Sequence, residues 1–418
     1  MLKKTTISIA AALASWAAMS AATAAELADG TVISKANLDQ VRNDTFMGHK
    51  IGDLVTPVME REIREFNRTF PLKKAAEPVL DPKFAEATKK YAAAVKFDAG
   101  SREISGYQAG VPFPAVDASD ASAGDKVLWN YYYGAPNYAQ DVSCPVYFVT
   151  VNKSGYESSQ LWQFERVRNR GRIAGNSHTL EDADWLYKQL FVGVAPQDIK
   201  GIGTYTLRYD SAKLDELFVY VKSVRRTRRL TGNAWADPGG PGFDFLNDDL
   251  YVFNSRPSRY VANKLVGKRW ILAVTTLDKV ERNAAKAGTK DEFPHIDTTN
   301  APNWNPVLPY TPREVYVVEA TPPAEHPYSK KVVYVDAKLW NTYRGEFYDK
   351  KGDLWKVSDF FFNSGVKGKT TGVQYINSDA GWFGDYKLRH ATHFIAPCVP
   401  DSGLKPSKFS AEQLETYQ

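Results

Sequence analysis

The sequence predicts a mainly β protein of the α+β class: a large curved antiparallel sheet, or half-barrel, with a few helices packed in its concave face. Three observations lead there. Tyr, Phe and Trp number 23, 21 and 10 in 418 residues, and wide rings pack well across a pleated sheet. From residue 202 onward apolar and polar residues mostly alternate in short runs with polar or glycine-bearing links, the pattern of hairpins and meanders. Helical spacing is confined to a few segments, chiefly before residue 100.

The chain opens with the marks of an export signal: Lys3 and Lys4, a mostly apolar run from Thr5 to Ala18, then Ala22-Thr23-Ala24 in the A-x-A pattern. The apolar run is too short for a membrane-spanning helix. Cleavage is expected after Ala24, which makes residues 1–24 a leader and points to a periplasmic, soluble product. Residues 25–100 read as a helical segment that packs on the sheet. Leu54, Val55, Val58, Ile63 and Phe66 fall near helical spacing, and Asp81-Pro82 reads as an N-cap and first helical residue ahead of Phe84, Ala87, Tyr91 and Val95. Residues 101–418 read as the curved β domain, continuous with it. A third helix, capped by Thr179, is expected to hold Trp185, Leu186 and Leu190. Strands are expected over 202–209, 216–221, 224–230, 313–320, 331–336, 339–348 and 354–362. Residues 278–312, rich in Pro and Asn, read as a long loop or flap. A curved sheet closed by helices leaves a cavity between its layers.

Charge excludes one class of function. The formal net charge of +5 includes the two leader lysines, so the remainder is only mildly basic and gives no reason to expect nucleic acid. The two cysteines, Cys144 and Cys398, read as one disulfide in an oxidising compartment.

No G-x-S-x-G, H-E-x-x-H, Walker loop or strand-borne G-x-G-x-x-G occurs, so no catalytic residue, cofactor or metal is assigned. His390 and His393 would lie on opposite sides of a strand. In the arginine-rich run from Val224 to Leu230, a strand would set Arg226 and Arg228 on the same side as Val224 and Leu230. Three readings stand for these arginines: ion pairs with Asp244, Asp248, Asp249 or Glu165; a solvated edge that resists aggregation; or a site for an anionic head group. Trp129 and Tyr131, with Phe361, are candidate cavity-lining residues, although such groups also build ordinary cores.

Beyond these features, Gly110-Val111-Pro112-Phe113-Pro114, Gly124-Asp125-Lys126 and Trp129-Asn130 resemble a signature of a periplasmic family known as domain of unknown function 1329. Further resemblances are Lys200-Gly201, the 220–230 strand, Asp248-Asp249 with Phe253, 313–319, 328–336, and Tyr348-Asp349 with Gly352 and Leu354-Trp355. They run in order from about residue 40 to 400. The resemblance implies a fold like that of the lipoprotein-carrier (LolA/LolB-like) superfamily and no catalytic residues. It also implies carriage of a hydrophobic or amphipathic compound between an inner-membrane efflux-type transporter and an outer-membrane protein. Two other readings compete: an envelope sensor or interaction protein that uses a sheet edge, and a secreted polysaccharide hydrolase with Asp248 or Asp249 and Glu319 converging across a cleft.

Overall fold

The computed structural model describes residues 24–135, 139–175, 177–222, 225–230 and 234–416; the leader lies outside them. Its centre is one antiparallel sheet of 14 strands. In chain order these are β1 (Asp141–Asn152), β2 (Gly155–Arg168), β3 (Tyr187–Ala195), β4 (Gly203–Arg208), β5 (Glu216–Val221), β6 (Arg226–Leu230), β7 (Ala262–Ala273), β8 (Thr311–Thr321), β9 (Tyr328–Asp336), β10 (Thr342–Asp349), β11 (Leu354–Phe362), β12 (Ser378–Asp385), β13 (His390–Ile395) and β14 (Val399–Pro400). Their spatial order is β6-β5-β4-β3-β2-β1-β13-β12-β11-β10-β9-β8-β7, with β14 beside β1. The sheet does not close.

Two meanders therefore make the sheet. The first runs outward from β1 to the edge strand β6; the second starts at the opposite edge, β7, and returns inward until β13 pairs β1. One connection, between β6 and β7, must cross from edge to edge, and it does so over one face of the sheet. That face also carries α3 (Ala123–Gly134). Gly124 touches the β7 backbone so closely that a Cβ there would lie 2.2 Å from the Asn263 carbonyl oxygen, so a larger residue would push the helix away. The other end of α3 reaches the start of β3, where Trp129, Tyr132 and Tyr133 pack on Leu186 and Tyr187.

The opposite face is covered by α1 (Pro57–Phe66), by residues 278–310 and by the C-terminal segment. Thr56 caps α1 by accepting from Met59 N at 3.1 Å. The helix begins at Pro57 rather than Leu54, because the residue before a proline is held extended. Asp81 caps α2 (Pro82–Tyr91), accepting from Lys83 N. Glu62 of α1, Arg68, Arg344 and Asp359 close a buried ring of ion pairs against the sheet (Arg68–Glu62 3.0 Å, Arg344–Glu62 2.8 Å, Arg344–Asp359 2.9 Å, Arg68–Asp359 2.5 Å). The loop expected over 278–312 is a packed cover in its second half, where Phe293, His295 and Trp304 are buried, whereas residues 281–291 are exposed. Phe409 and Leu414 cover Leu190, Val192, Tyr205 and Tyr220.

One expected element is overturned. The segment after Thr179 is not a helix; Tyr187–Ala195 is β3, paired to β2 and β4. Both faces of this strand are covered, so apolar residues occur at both parities and alternation is blurred. Trp185, Leu186 and Leu190 then imitate helical spacing.

Candidate functional site

Between the sheet and its crossing connection lies a cavity of about 330 Å³. Strand parity explains its floor. Residues directly opposite in an antiparallel ladder share a face, and the register puts Phe394, Phe148, Val146, Trp162, Phe164, Phe191, Thr204, Val219 and Leu217 on one side. All of them line the cavity, together with Phe360, Phe383 and Leu230. Cys144 and Cys398, joined as a disulfide, complete the floor near β1.

The roof is the β6–β7 connection. Residues 237–247 fold back as a hairpin, with Gly239 N donating to Phe245 O and Asn247 N to Asp237 O, both at 2.9 Å. Gly239 must be glycine, since a Cβ would lie 2.0 Å from the Phe245 ring. Phe243 at the tip stacks on Phe148 (4.3 Å between ring centres), and Phe245 stacks on Phe383 (4.4 Å). Gln160 donates to Pro241 O at 3.2 Å.

Further along, the same connection is held by buried charge. Asp244 accepts from Thr392 Oγ1 (2.7 Å) and from His390 Nδ1 (2.7 Å), while its backbone carbonyl accepts from Lys356 Nζ (2.7 Å). His390 also meets Glu157 at 2.7 Å. The hydrogen bond to Asp244, aided by Glu157 and opposed by burial, raises the His390 pKa to about 9. Lys331 bridges Asp248 (2.8 Å) and Asp249 (2.9 Å), all three fully buried. Tyr260 donates to Asp248 (2.5 Å) and Tyr328 to Asp249 (2.8 Å). Burial alone would raise Asp248, but the charge of Lys331, with His326, outweighs it and holds that carboxyl below the usual range. Next, Tyr251 (φ 50°) and Val252 (φ 72°) adopt left-handed backbone. This conformation is strained for a β-branched residue, and it coincides with Tyr251 lining the cavity while Thr342 Oγ1 donates to its carbonyl at 2.6 Å.

The cavity is not uniformly apolar. At the end formed by β2, β3 and β4 it meets Arg166, Gln189, Tyr187, Thr206 and Arg208, with Asp215, Asn254 and Arg259. Arg208 is paired to Asp215 at 2.8 Å, and Arg259 reaches the same carboxylate at 3.3 Å. Arg166 donates only to an amide, Gln189 Oε1, at 3.1 and 2.8 Å.

The residues singled out in the sequence fall in several places. Arg226 and Arg228 are exposed on β6, opposite Val221 and Val219 and therefore on the cavity side of the edge. Their expected ion pairs are corrected: Asp248 and Asp249 bind Lys331, and Glu165 binds Lys408 at 2.6 Å on the opposite face. Arg229 instead pairs with Glu216 at 3.1 Å. Trp129 is fully buried under α3, beneath the Arg256 guanidinium (4.8 Å). Phe361 packs on the opposite face near Tyr310; its neighbour Phe360 faces the cavity. Tyr131 borders a hollow of about 10 Å³ beside Arg166. The hydrolase carboxylates do not converge. Asp248 and Asp249 are sealed on Lys331, and Glu319 pairs with Lys330 (3.0 Å) on the other side of β8. His390 and His393 lie on opposite faces of β13, the latter buried against the Trp304 carbonyl. Sequence reasoning misses Arg166 and Trp162, since no strand is expected over 141–168; Phe191, since its stretch reads as helix; and the roof, since roofing depends on edge-to-edge topology.

Fold and site together define a class: an open antiparallel sheet whose own crossover roofs an aromatic cavity. The chain belongs to the family described as protein of unknown function (DUF1329), whose sequence profile matches residues 32–394. An uncharacterised Pseudomonas aeruginosa protein, PA3922, is 27% identical over 145 residues, which is 34% of this chain and 30% of that relative's length. Among solved structures, a DUF1329 protein from Desulfovibrio piger is similar at TM-score 0.48 and 17% identity, covering 70% of this chain and 98% of that one. A candidate outer membrane lipoprotein-sorting domain from Vibrio parahaemolyticus is similar at TM-score 0.47 and 16% identity, covering 71% and 100%. Among the described residues, no helix is long and apolar enough to cross a membrane.

Proposed function

We propose that the protein is a periplasmic, non-enzymatic carrier or accessory that holds a hydrophobic or amphipathic, lipid-like compound for an envelope transport system. One observation carries this reading: a roofed cavity of about 330 Å³ walled by Val, Leu, Phe and Trp side chains, with polar groups gathered at one end. Ligand cavities range from roughly 300 to 1,000 Å³ and show this division of apolar wall and few polar contacts. The export signal expected from the sequence supports this reading, since in the periplasm such cargo would need shelter from water. Arg226 and Arg228 give the open edge beside the cavity a basic rim.

The energetics suit a carrier. Burying about a dozen methylenes gains on the order of 10 kcal/mol at about 0.8 kcal/mol each. Association costs of roughly 4–15 kcal/mol offset much of it. The remainder is an affinity that permits both capture and release to a transporter or an outer-membrane protein.

The test is mass spectrometry of the organic extract of protein purified from its own periplasm, beside the intact protein under native conditions. A stoichiometric apolar compound is the expected result. A protein that is empty in both measurements contradicts the carrier reading.

A further inference from the structure

Resting on that reading, we infer that the cavity takes an anionic amphiphile, a single chain ending in an oxyanion head, and that Arg166 is the residue that receives the head. Arg166 sits in the cavity wall with its stem in β2. Its guanidinium lies 4.5 Å from the centre of the Tyr187 ring and 5.0 Å from that of Phe164. Nε and Nη2 both donate to the single amide oxygen of Gln189. Among the described residues no carboxylate lies within ion-pair reach of it, and Nη1 has no acceptor.

This sets Arg166 apart from its neighbours. Arg208 and Arg259 share Asp215, and Arg256 is bound by Glu103. A half-buried arginine among rings needs an anion, and its fork matches a carboxylate or phosphate with paired hydrogen bonds. Gln189 fixes the plane of the fork without neutralising it. Arg166 and Tyr251 also border two further hollows, of about 20 and 10 Å³. Each is large enough for about one water, which would complete the solvation of a bound oxyanion. From this point the apolar wall runs through Phe164 and Phe191 towards the disulfide and Phe394. The cavity volume lies at the low end for ligand sites, which favours one chain over several.

The experiment titrates the delipidated full protein at pH 7 with three probes of equal chain length: dodecanoate, dodecyl phosphate and dodecanol. In the unaltered protein both anions should bind at least tenfold tighter than the alcohol, and whichever anion binds tighter identifies the head as carboxylate or phosphate. Arg166→Gln should weaken both anions by roughly 10- to 100-fold, to the level of dodecanol. Equal binding of all three by the unaltered protein overturns the inference while leaving the cavity a ligand site. So does a folded Arg166→Gln protein that keeps its preference for anions. Failure of all three to bind overturns the inference and the carrier reading together.

Discussion

The two meanders share one sheet and one roof, yet they use the roof in opposite ways. Over β9–β13 the crossing connection is fastened by Asp244, Asp248 and Asp249 to His390, Lys356 and Lys331, and the cavity borders that half at Phe360, Ser378, Phe383 and Phe394. Over β1–β5 the same connection encloses the cavity: its tip, residues 240–243, touches the sheet through the Phe243 ring and one hydrogen bond from Gln160, while at the polar end Asn254 accepts from Arg208 and Arg259 pairs with Asp215. Among the described residues no salt bridge ties residues 235–243 to the sheet. The difference lies in local sequence. Residues 244–249 carry three acids opposite cations on the strands, whereas 238–242 are glycine and proline. Fixing one half allows the other to stand clear without losing its register.

Breaking the fastened half should have the largest effect. Lys331→Met leaves Asp248 and Asp249 buried without their cation, so chemical denaturation should show a loss of about 3–5 kcal/mol. A loss below about 1 kcal/mol would mean that the ion cluster does not hold the roof. Filling the open half should act on binding instead. Val219→Trp places a ring in the cavity, where space exists to receive it, so stability should change by less than about 1 kcal/mol, below the usual cost of overpacking. The same variant should lose bound lipid in the mass spectrum.

A smaller effect sharpens the contrast through pH. His390 titrates at about 9 in the folded protein, against about 6.5 unfolded. Its contribution is therefore full below pH 6.5, declines between 6.5 and 9, and is gone above 9. The stability difference between the natural protein and His390→Gln should shrink along that window, as measured by denaturation at pH 6, 7.5 and 9.5. A constant difference would place the value of His390 in packing rather than charge.

Much of this architecture is legible in the sequence, and the cavity is not. The expected spans 216–221 and 354–362 coincide with β5 and β11, and 313–320 lies inside β8. These strands alternate cleanly or carry an unbroken apolar run. β3 imitates a helix in the sequence because both its faces are covered. The aromatic run 129–133 lies on α3 and fills core around Arg256 and Leu186, since rings serve core and cavity equally well. The acids of 244–249 were legible as ion-pair formers, but their cations come from β9, β11 and β13, whose position over the roof follows from strand order alone. Arg166 carries no local signal: it alternates with Glu165 and Val167 as any strand arginine would.

Hydrogen exchange with and without dodecanoate tests the central claim most directly. A ligand under the roof should raise protection in residues 235–243 and in β2–β5, while 244–249, already fastened, changes little. No gain at 235–243, or a gain confined to 244–249 or to the opposite face, would contradict the assignment of the open half as the binding site.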